Sequence, residues 1–171
     1  PTLHAVVIGI DNFTDESLNL TYAKADATLF GTTLYKRSKE IFHNVDIRYL
    51  REKDLTSKAA ISKALGDLTN ISANDFFVFY VASHGIIIDN TFYMLTSDQS
   101  DQSSEKIKTQ ALSQEELREL FIRIPTANKL LIFDTCYSGL INKEISEKLA
   151  KSASRKLNLT SISAAQSKET A

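Results

Sequence analysis

The chain has 171 residues, of which 43% are hydrophobic and 24% are charged, and its 20 basic and 21 acidic residues leave a net charge of −1 at pH 7. These values are typical of one globular domain that buries a core of its own. The charge balance argues against a nucleic-acid-binding surface, and no run of 18 apolar residues offers a membrane span. A single cysteine excludes an internal disulfide and fits a reducing compartment, so we expect a cytoplasmic protein.

The first half of the chain alternates predicted strands and helices. Leu3 to Ile10 is continuously apolar, which indicates a central strand, and Asp15 to Leu20 is a polar loop. Val45 to Leu50 reads as a second strand, and Thr56 or Ser57 is expected to cap a second helix that begins at Ser57. A first helix from Thr21 to about Ser38 is indicated by apolar residues that recur at helical spacing: Tyr22, Ala25, Leu29, Phe30, Thr33 and Leu34.

The middle of the chain contains a third apolar strand and then a hairpin. Phe76 to Ala82 is the strand, and Asp89-Asn90 predicts the turn between Ile86 to Ile88 and a returning strand, Thr91 to Thr96. Ser97 to Lys108 is polar and without a core pattern, so we expect a mobile surface loop there.

The last part of the chain repeats the helix-then-strand pattern. Ser113 and Glu116 form a capping box that opens a helix ending before Pro125. A short apolar strand, Leu130 to Phe133, follows, then an amphipathic stretch, Asn142 to about Ala153, and a last strand, Leu159 to Ser163. Strands that alternate with helices predict an α/β fold with a mainly parallel sheet covered on both faces.

Two of the predicted buried strands end in a reactive side chain. Phe76 to Ala82 leads into Ser83-His84-Gly85, and the later apolar strand leads into Asp134-Thr135-Cys136-Tyr137-Ser138-Gly139. A lone cysteine is commonly an inert core residue, and a lone histidine is commonly structural. Both at matching strand ends, each followed by glycine, favour a nucleophile–base pair, because an imidazole near a thiol makes the thiolate available.

These two motifs resemble those of the caspase-like cysteine peptidases, the clan of caspases, paracaspases and metacaspases, and most closely the metacaspase and paracaspase branch. The order of histidine and cysteine fits, as does the opening segment with Gly9 to Phe13 and Ala25-Asp26-Ala27. The resemblance implies a three-layer α/β sandwich over residues 1–171. It also implies that the last strand or strands belong to a small-subunit-like part absent from this chain, so we expect a C-terminal chain or segment as a partner.

The resemblance also implies a set of site residues. Cys136 would be the nucleophile and His84 the base, while the amides of Gly85 and Cys136 would bind the oxyanion. Asp26 and Asp134 match the acidic residues that metacaspases and paracaspases use to bind arginine or lysine before the scissile bond. Ser163 would line the same pocket, and cleavage after Arg or Lys is expected.

The sequence gives fewer indications of regulation and cofactors than of the site residues. Self-cleavage is expected after Arg155 or Lys156, and a regulatory protein partner besides the peptide substrate is compatible with the resemblance. Metacaspases commonly need calcium, but the three acidic residues in the matching region are too few for six to eight oxygen ligands (Asp89, Asp98 and Asp101). The sequence therefore predicts no certain cofactor, no nucleic-acid contact and no membrane contact. The alternative is a catalytically silent binding or scaffold module.

Overall fold

A computed structural model describes residues 1–135 and the strand at 158–163. The main sheet has five parallel strands in the order β2-β1-β3-β7-β8, and a smaller antiparallel sheet has the order β4-β5-β6. The main strands are β1 (Thr2–Gly9), β2 (Asn44–Leu50), β3 (Phe76–Ala82), β7 (Asn128–Asp134) and β8 (Asn158–Ser163). The short strands are β4 (Gly85–Ile88), β5 (Thr91–Met94) and β6 (Leu112–Ser113).

Four helices lie in the described part of the chain: α1 (Ala23–Ser38), α2 (Lys58–Gly66), α3 (Ser104–Gln110) and α4 (Gln114–Arg123). The predicted strands and helix starts are confirmed, including the cap of Ser57 on α2 and the reciprocal capping box of Ser113 and Glu116 on α4. The predicted amphipathic stretch at 142–153 lies outside the described residues. No helix of the described ranges has the length and apolar character needed to cross a membrane.

The main sheet separates two hydrophobic cores, as the α/β prediction requires. Val6 and Ile8 of β1 belong to one core with Ile61 of α2 and Phe121 of α4. The alternate β1 residues Leu3, Ala5 and Val7 belong to the other core, beneath α1. Because successive strand residues point to opposite faces, β1 contributes to both cores. We call the two sides of the sheet the α1 layer and the α4 layer.

The apolar residues that recur along α1 do not form one buried face. Tyr22 is 71% exposed and Leu29 is 69% exposed, and Ala25 and Thr33 are also exposed, whereas Phe30 and Leu34 are half-buried. The buried residues of the helix are small ones instead: Ala23, Ala27, Gly31 and Ser38. The helix backbone lies so close to the sheet that larger side chains do not fit beneath it, and close packing outweighs hydrophobicity in choosing the face.

The predicted mobile loop at Ser97 to Lys108 is also wrong. Ser103 caps α3, which occupies residues 104–110, and Ile107 is buried in the α4-layer core. Ser97 and Gln99 are buried as well, and the Ser97 hydroxyl donates to the carbonyl of Lys53 at 2.6 Å. The segment is polar because its buried groups form hydrogen bonds with main-chain atoms, a pattern that hydrophobic periodicity does not detect.

Gly9 permits the close approach between β1 and α1. A Cβ atom at this position would lie 2.4 Å from the Ala23 carbonyl oxygen. We expect Gly9→Ala to lower the free energy of unfolding by about 1–3 kcal/mol, because the backbone of α1 must shift to relieve the overlap. Denaturant unfolding measures the change. Gly66→Ala is the matched control, since a Cβ there meets nothing within 4 Å, and a loss as large in the control would contradict the explanation.

Lys129 is a buried lysine on the α4-layer face of the main sheet. It is 5% exposed, on the same face of β7 as Leu131 and Phe133, and its ammonium group donates to the carbonyl of Thr126. Burial lowers the pKa of Lys129 to about 8 from an ordinary value of 10.5, because the charged form loses hydration. Between these two values the unfolded chain keeps the proton and the folded protein loses it, so the contribution of Lys129 to stability increases with pH across this interval.

We therefore expect Lys129→Met to stabilise the protein at pH 7, by up to about 3 kcal/mol, and to flatten the rise in stability between about pH 8 and 10.5. Urea unfolding at a series of pH values measures both effects. Lys63→Met, at an exposed lysine of α2, is the control for loss of charge alone. A variant at position 129 that is no more stable at pH 7 would show that the buried ammonium carries no desolvation penalty.

Candidate active site

The carboxyl ends of β3 and β7 lie side by side. The two strands are parallel neighbours, and their last paired residues are Ala82 and Asp134. The ladder continues one step further, because the Ser83 amide donates to the Asp134 carbonyl at 3.4 Å. His84 follows Ala82 by two residues, and Cys136 follows Asp134 by two residues in the sequence. Cys136 itself lies outside the described residues, as do Arg155 and Lys156.

The imidazole of His84 is oriented by a backbone carbonyl. Its Nε2 lies 2.8 Å from the Leu18 carbonyl oxygen, and the half-buried ring packs against Phe13 at a centroid distance of 5.5 Å. A carbonyl oxygen only accepts hydrogen bonds, so Nε2 carries the proton and Nδ1 is the basic nitrogen of the neutral ring. The arrangement leaves Nδ1 able to take a proton from a thiol.

The loop that supplies this carbonyl is fixed by its own hydrogen bonds. The Asp15 carboxylate caps a short 3₁₀ turn, Glu16–Leu18, by accepting from the Ser17 amide. The Asn19 side chain accepts from the Phe13 amide at 2.8 Å. Sequence reasoning described this segment only as a polar loop and missed the role of Leu18. The interacting atom belongs to the main chain, so no residue type at this position would have indicated it.

The backbone around His84 is held equally firmly. The His84 carbonyl accepts from the Leu95 amide at 3.0 Å, and the Ser83 hydroxyl donates to the Leu95 carbonyl at 3.0 Å. Gly85 is buried and begins β4 directly after the histidine. These contacts attach the histidine to both the main sheet and the small sheet, so its position is determined on two sides.

The two predicted pocket aspartates lie around a tyrosine that sequence reasoning missed. The Tyr80 hydroxyl donates to Oδ2 of Asp134 at 3.2 Å. The pKa of Tyr80 is raised well above its ordinary value, first by burial, then by the negative charges of Asp134 and, more weakly, of Asp26. Asp26 lies exposed in the first turn of α1, so both carboxylates lie in the α1 layer, near one buried phenol.

A groove beside this acidic group has apolar walls. Phe30 of α1 stacks on the Tyr80 ring, with 4.3 Å between the centroids and an interplanar angle of 12°. Asp26 lies in the lining of the same groove, together with Leu29 and Leu34. Lysine and arginine have an apolar stem and a cationic end, so carboxylates next to aromatic and aliphatic walls suit them. The signal for Tyr80 in the sequence was a polar group inside an otherwise apolar strand.

The backbone of Ser163 lies at the end of β8, paired with Phe133 of β7. Ser163 is therefore beside the strand that carries Asp134, at the same edge of the sheet, and the description of this residue extends to its backbone only.

The acidic residues considered for calcium have protein partners. Asp89 accepts from the Lys108 ammonium at 2.7 Å, Asp98 accepts from the Lys58 amide at 3.1 Å, and Asp101 accepts from the Ser103 amide at 2.8 Å. Within residues 1–135 and 158–163, no group of three histidine, cysteine, aspartate or glutamate side chains is arranged to hold a metal ion.

No curated protein sequence matches this chain. Its fold resembles the crystal structure of protein GSU0716 from Geobacter sulfurreducens, with a TM-score of 0.64 and 15% sequence identity over 95% of this chain and 72% of that chain. At that identity the likeness concerns the fold alone.

The profile of the caspase domain family matches residues 2–171, nearly the whole chain. That family is one of cysteine peptidases, which agrees with a histidine held at the carboxyl end of the sheet beside the strand that leads to the sole cysteine. The chain therefore belongs to the caspase domain family.

Proposed function

We propose that this protein is a cysteine endopeptidase that uses His84 and Cys136 to cleave peptide bonds after arginine or lysine. The observation that carries the proposal is the register of β3 and β7. Ala82 pairs with Asp134, and in the sequence a histidine follows the first and a cysteine follows the second by two residues, which supports the pairing of His84 with Cys136 at the carboxyl end of the sheet.

The proposed reaction uses the orientation of His84. Nδ1 takes the proton of the Cys136 thiol, and the Leu18 carbonyl, bound to Nε2–H, stabilises the resulting imidazolium. The thiolate attacks the carbonyl carbon of the substrate, the C–N bond breaks, and the imidazolium returns the proton to the leaving amine. Water then hydrolyses the thioester. The amides of Gly85 and Cys136 are the proposed oxyanion donors.

The preference for basic residues is supported by the charges around Tyr80. Its hydroxyl donates to Oδ2 of Asp134, and no residue of the described ranges donates to Oδ1, which can therefore accept from a guanidinium or ammonium group. Asp26 supplies a second negative charge, and Phe30 with Tyr80 supplies an apolar wall. Ser163, on the neighbouring strand end, completes the proposed pocket.

The proposal has three further parts, which rest on the family resemblance. They are self-cleavage after Arg155 or Lys156, a C-terminal small-subunit-like segment, and a regulatory protein partner. A cytoplasmic location is proposed from the single cysteine.

Turnover of matched fluorogenic peptides ending in Arg, Lys or Asp tests the proposal on the full-length protein, with and without calcium. We expect cleavage after Arg and Lys, its loss to background in Cys136→Ala and His84→Ala, and a fall in kcat/KM of about 10- to 100-fold in Asp26→Asn and Asp134→Asn. Asp67→Asn, at an exposed carboxylate paired with Lys63, is the control for charge. Intact mass of the same samples reports self-cleavage.

Cleavage only after Asp would support the roles of His84 and Cys136 and would refute the proposed pocket for arginine or lysine. Self-cleavage that persists in Cys136→Ala would refute self-processing. Silence of the wild type with every peptide, with and without calcium, would favour the scaffold alternative.

Tyr80→Phe tests the pocket separately from the dyad. Removing the hydroxyl takes one donor from Asp134 and keeps the aromatic wall, so we expect KM for Arg peptides to rise about three- to tenfold with kcat little changed. Steady-state kinetics separate the two constants. Tyr35→Phe, at an exposed tyrosine of the same layer, is the matched control. A fall in kcat as large as the rise in KM would show a general structural effect instead.

A further inference from the structure

The outer side of β4 is a main-chain edge directly beside His84. The small sheet has the order β4-β5-β6, so in the described part of the chain β4 has a strand neighbour on one side only. β4 begins at Gly85, whose amide is the proposed oxyanion donor. We call the outward N–H and C=O groups of this strand the β4 edge.

The hydrogen-bond register identifies which groups form the β4 edge. Leu95 donates to the His84 carbonyl, and Gly85 lies opposite Met94. Because hydrogen-bonded and non-bonded pairs alternate in an antiparallel ladder, the pair of Gly85 and Met94 is non-bonded, the pair of Ile86 and Tyr93 is bonded, and Ile87 is again non-bonded. The N–H and C=O groups of Gly85 and Ile87 therefore point away from β5.

The hairpin turn agrees with this register. Asp89 and Asn90 have positive φ angles of 51° and 61°, as expected of a two-residue turn closing on the pair of Ile88 and Thr91. That closing pair is a bonded one, in step with Ile86 and His84.

The side chains of β4 alternate between the two faces of the strand. Ile86 and Ile88 pack against the α4-layer core, and by strand alternation Ile87 points the other way, on the same face as Gly85. Ile87 is half-buried, and Gly85 is buried but has no side chain that would stand between its main-chain groups and an approaching polypeptide.

We propose that the residues of a substrate that follow the scissile bond bind along the β4 edge as an added parallel strand. The proposal rests on the proposed peptidase function. The scissile carbonyl accepts from the Gly85 amide. In a parallel ladder, the second residue after the scissile bond then donates to the Gly85 carbonyl and accepts from the Ile87 amide. The fourth residue donates to the Ile87 carbonyl.

The layering of the fold selects this half of the substrate. The acidic group at Tyr80 lies in the α1 layer, so the basic residue before the scissile bond is drawn to that side of the sheet. β4 packs in the α4 layer, through Ile86 and Ile88. If the substrate crosses the sheet edge from the α1 layer to the α4 layer, its residues after the scissile bond lie next to β4.

The recognition is by main-chain atoms, so it favours long, extended substrates and tolerates many side chains.

Turnover of four substrates by the full-length protein tests this binding along the β4 edge. One is an Arg–aminomethylcoumarin peptide, one is its internally quenched version with four residues after the arginine, and two are copies of the latter N-methylated at the second or at the third of those residues. We expect methylation of the second residue to lower kcat/KM about five- to tenfold, through one lost hydrogen bond and the crowding of the added methyl. Methylation of the third, whose N–H points away, is the control.

Ile87→Pro tests the protein side, because proline removes an outward N–H that β5 does not use. We expect the ratio of kcat/KM between the extended and the coumarin peptide to fall about five- to tenfold in Ile87→Pro and to stay near wild type in Ile87→Ala, which keeps the amide. Thermal unfolding checks that both variants fold, and if Ile87→Pro does not, the methylated peptides decide alone with wild-type protein.

Equal effects of the two methylations on kcat/KM would overturn binding along the β4 edge, and so would an extended peptide with no higher kcat/KM than the coumarin peptide. Cleavage of the coumarin peptide would still support the proposed peptidase function. Cleavage of neither peptide would refute the peptidase function and this inference with it.

Discussion

The parallel pairing of β3 with β7 is the constraint on which the rest of the candidate site depends. Ala82 lies opposite Asp134, and the Ser83 amide extends the ladder past the end of β3. A parallel ladder has one register for a given burial pattern, because a slip of one residue would turn Phe79 and Phe133 out of the core. The packing of the core thus determines which residues leave the sheet edge together.

The two layers of the fold have different parts in the proposed site. The α1 layer contains Asp26, Tyr80 and Asp134, the acidic and hydroxyl groups of the proposed pocket. The α4 layer contains Phe13 and the small sheet, which hold the histidine. In this arrangement substrate choice and proton transfer use separate sets of contacts, and the sheet edge is where the two meet.

The close packing of α1 makes the acidic half of the site possible. Gly9, Ala23 and Ala27 let the helix backbone lie against β1, and the Asp11 carboxylate accepts from the Lys24 amide at the start of the helix. Asp26 is therefore carried on a helix terminus whose distance from the sheet is set by small residues. Phe30, which is half-buried and stacks on Tyr80 at the side of the helix, forms a wall of the groove.

The sequence by itself determined the alternation of strands and helices, the helix caps, the hairpin turn and the candidacy of His84 and Cys136. Those features depend on local pattern or on residue type, both of which can be read along the chain, whereas the candidacy of Asp26 and Asp134 came from the resemblance to metacaspases and paracaspases. Tertiary structure decided the buried face of α1, because the space beneath a helix depends on what lies opposite. It decided that Ser97 and Gln99 are buried, since the Ser97 hydroxyl donates to the distant Lys53 carbonyl and the Gln99 carbonyl accepts from the distant Asp15 amide. It also decided the parts of Leu18 and Tyr80, because a backbone carbonyl has no signature of its own and a hydroxyl acquires its role only from the carboxylate that folding brings beside it.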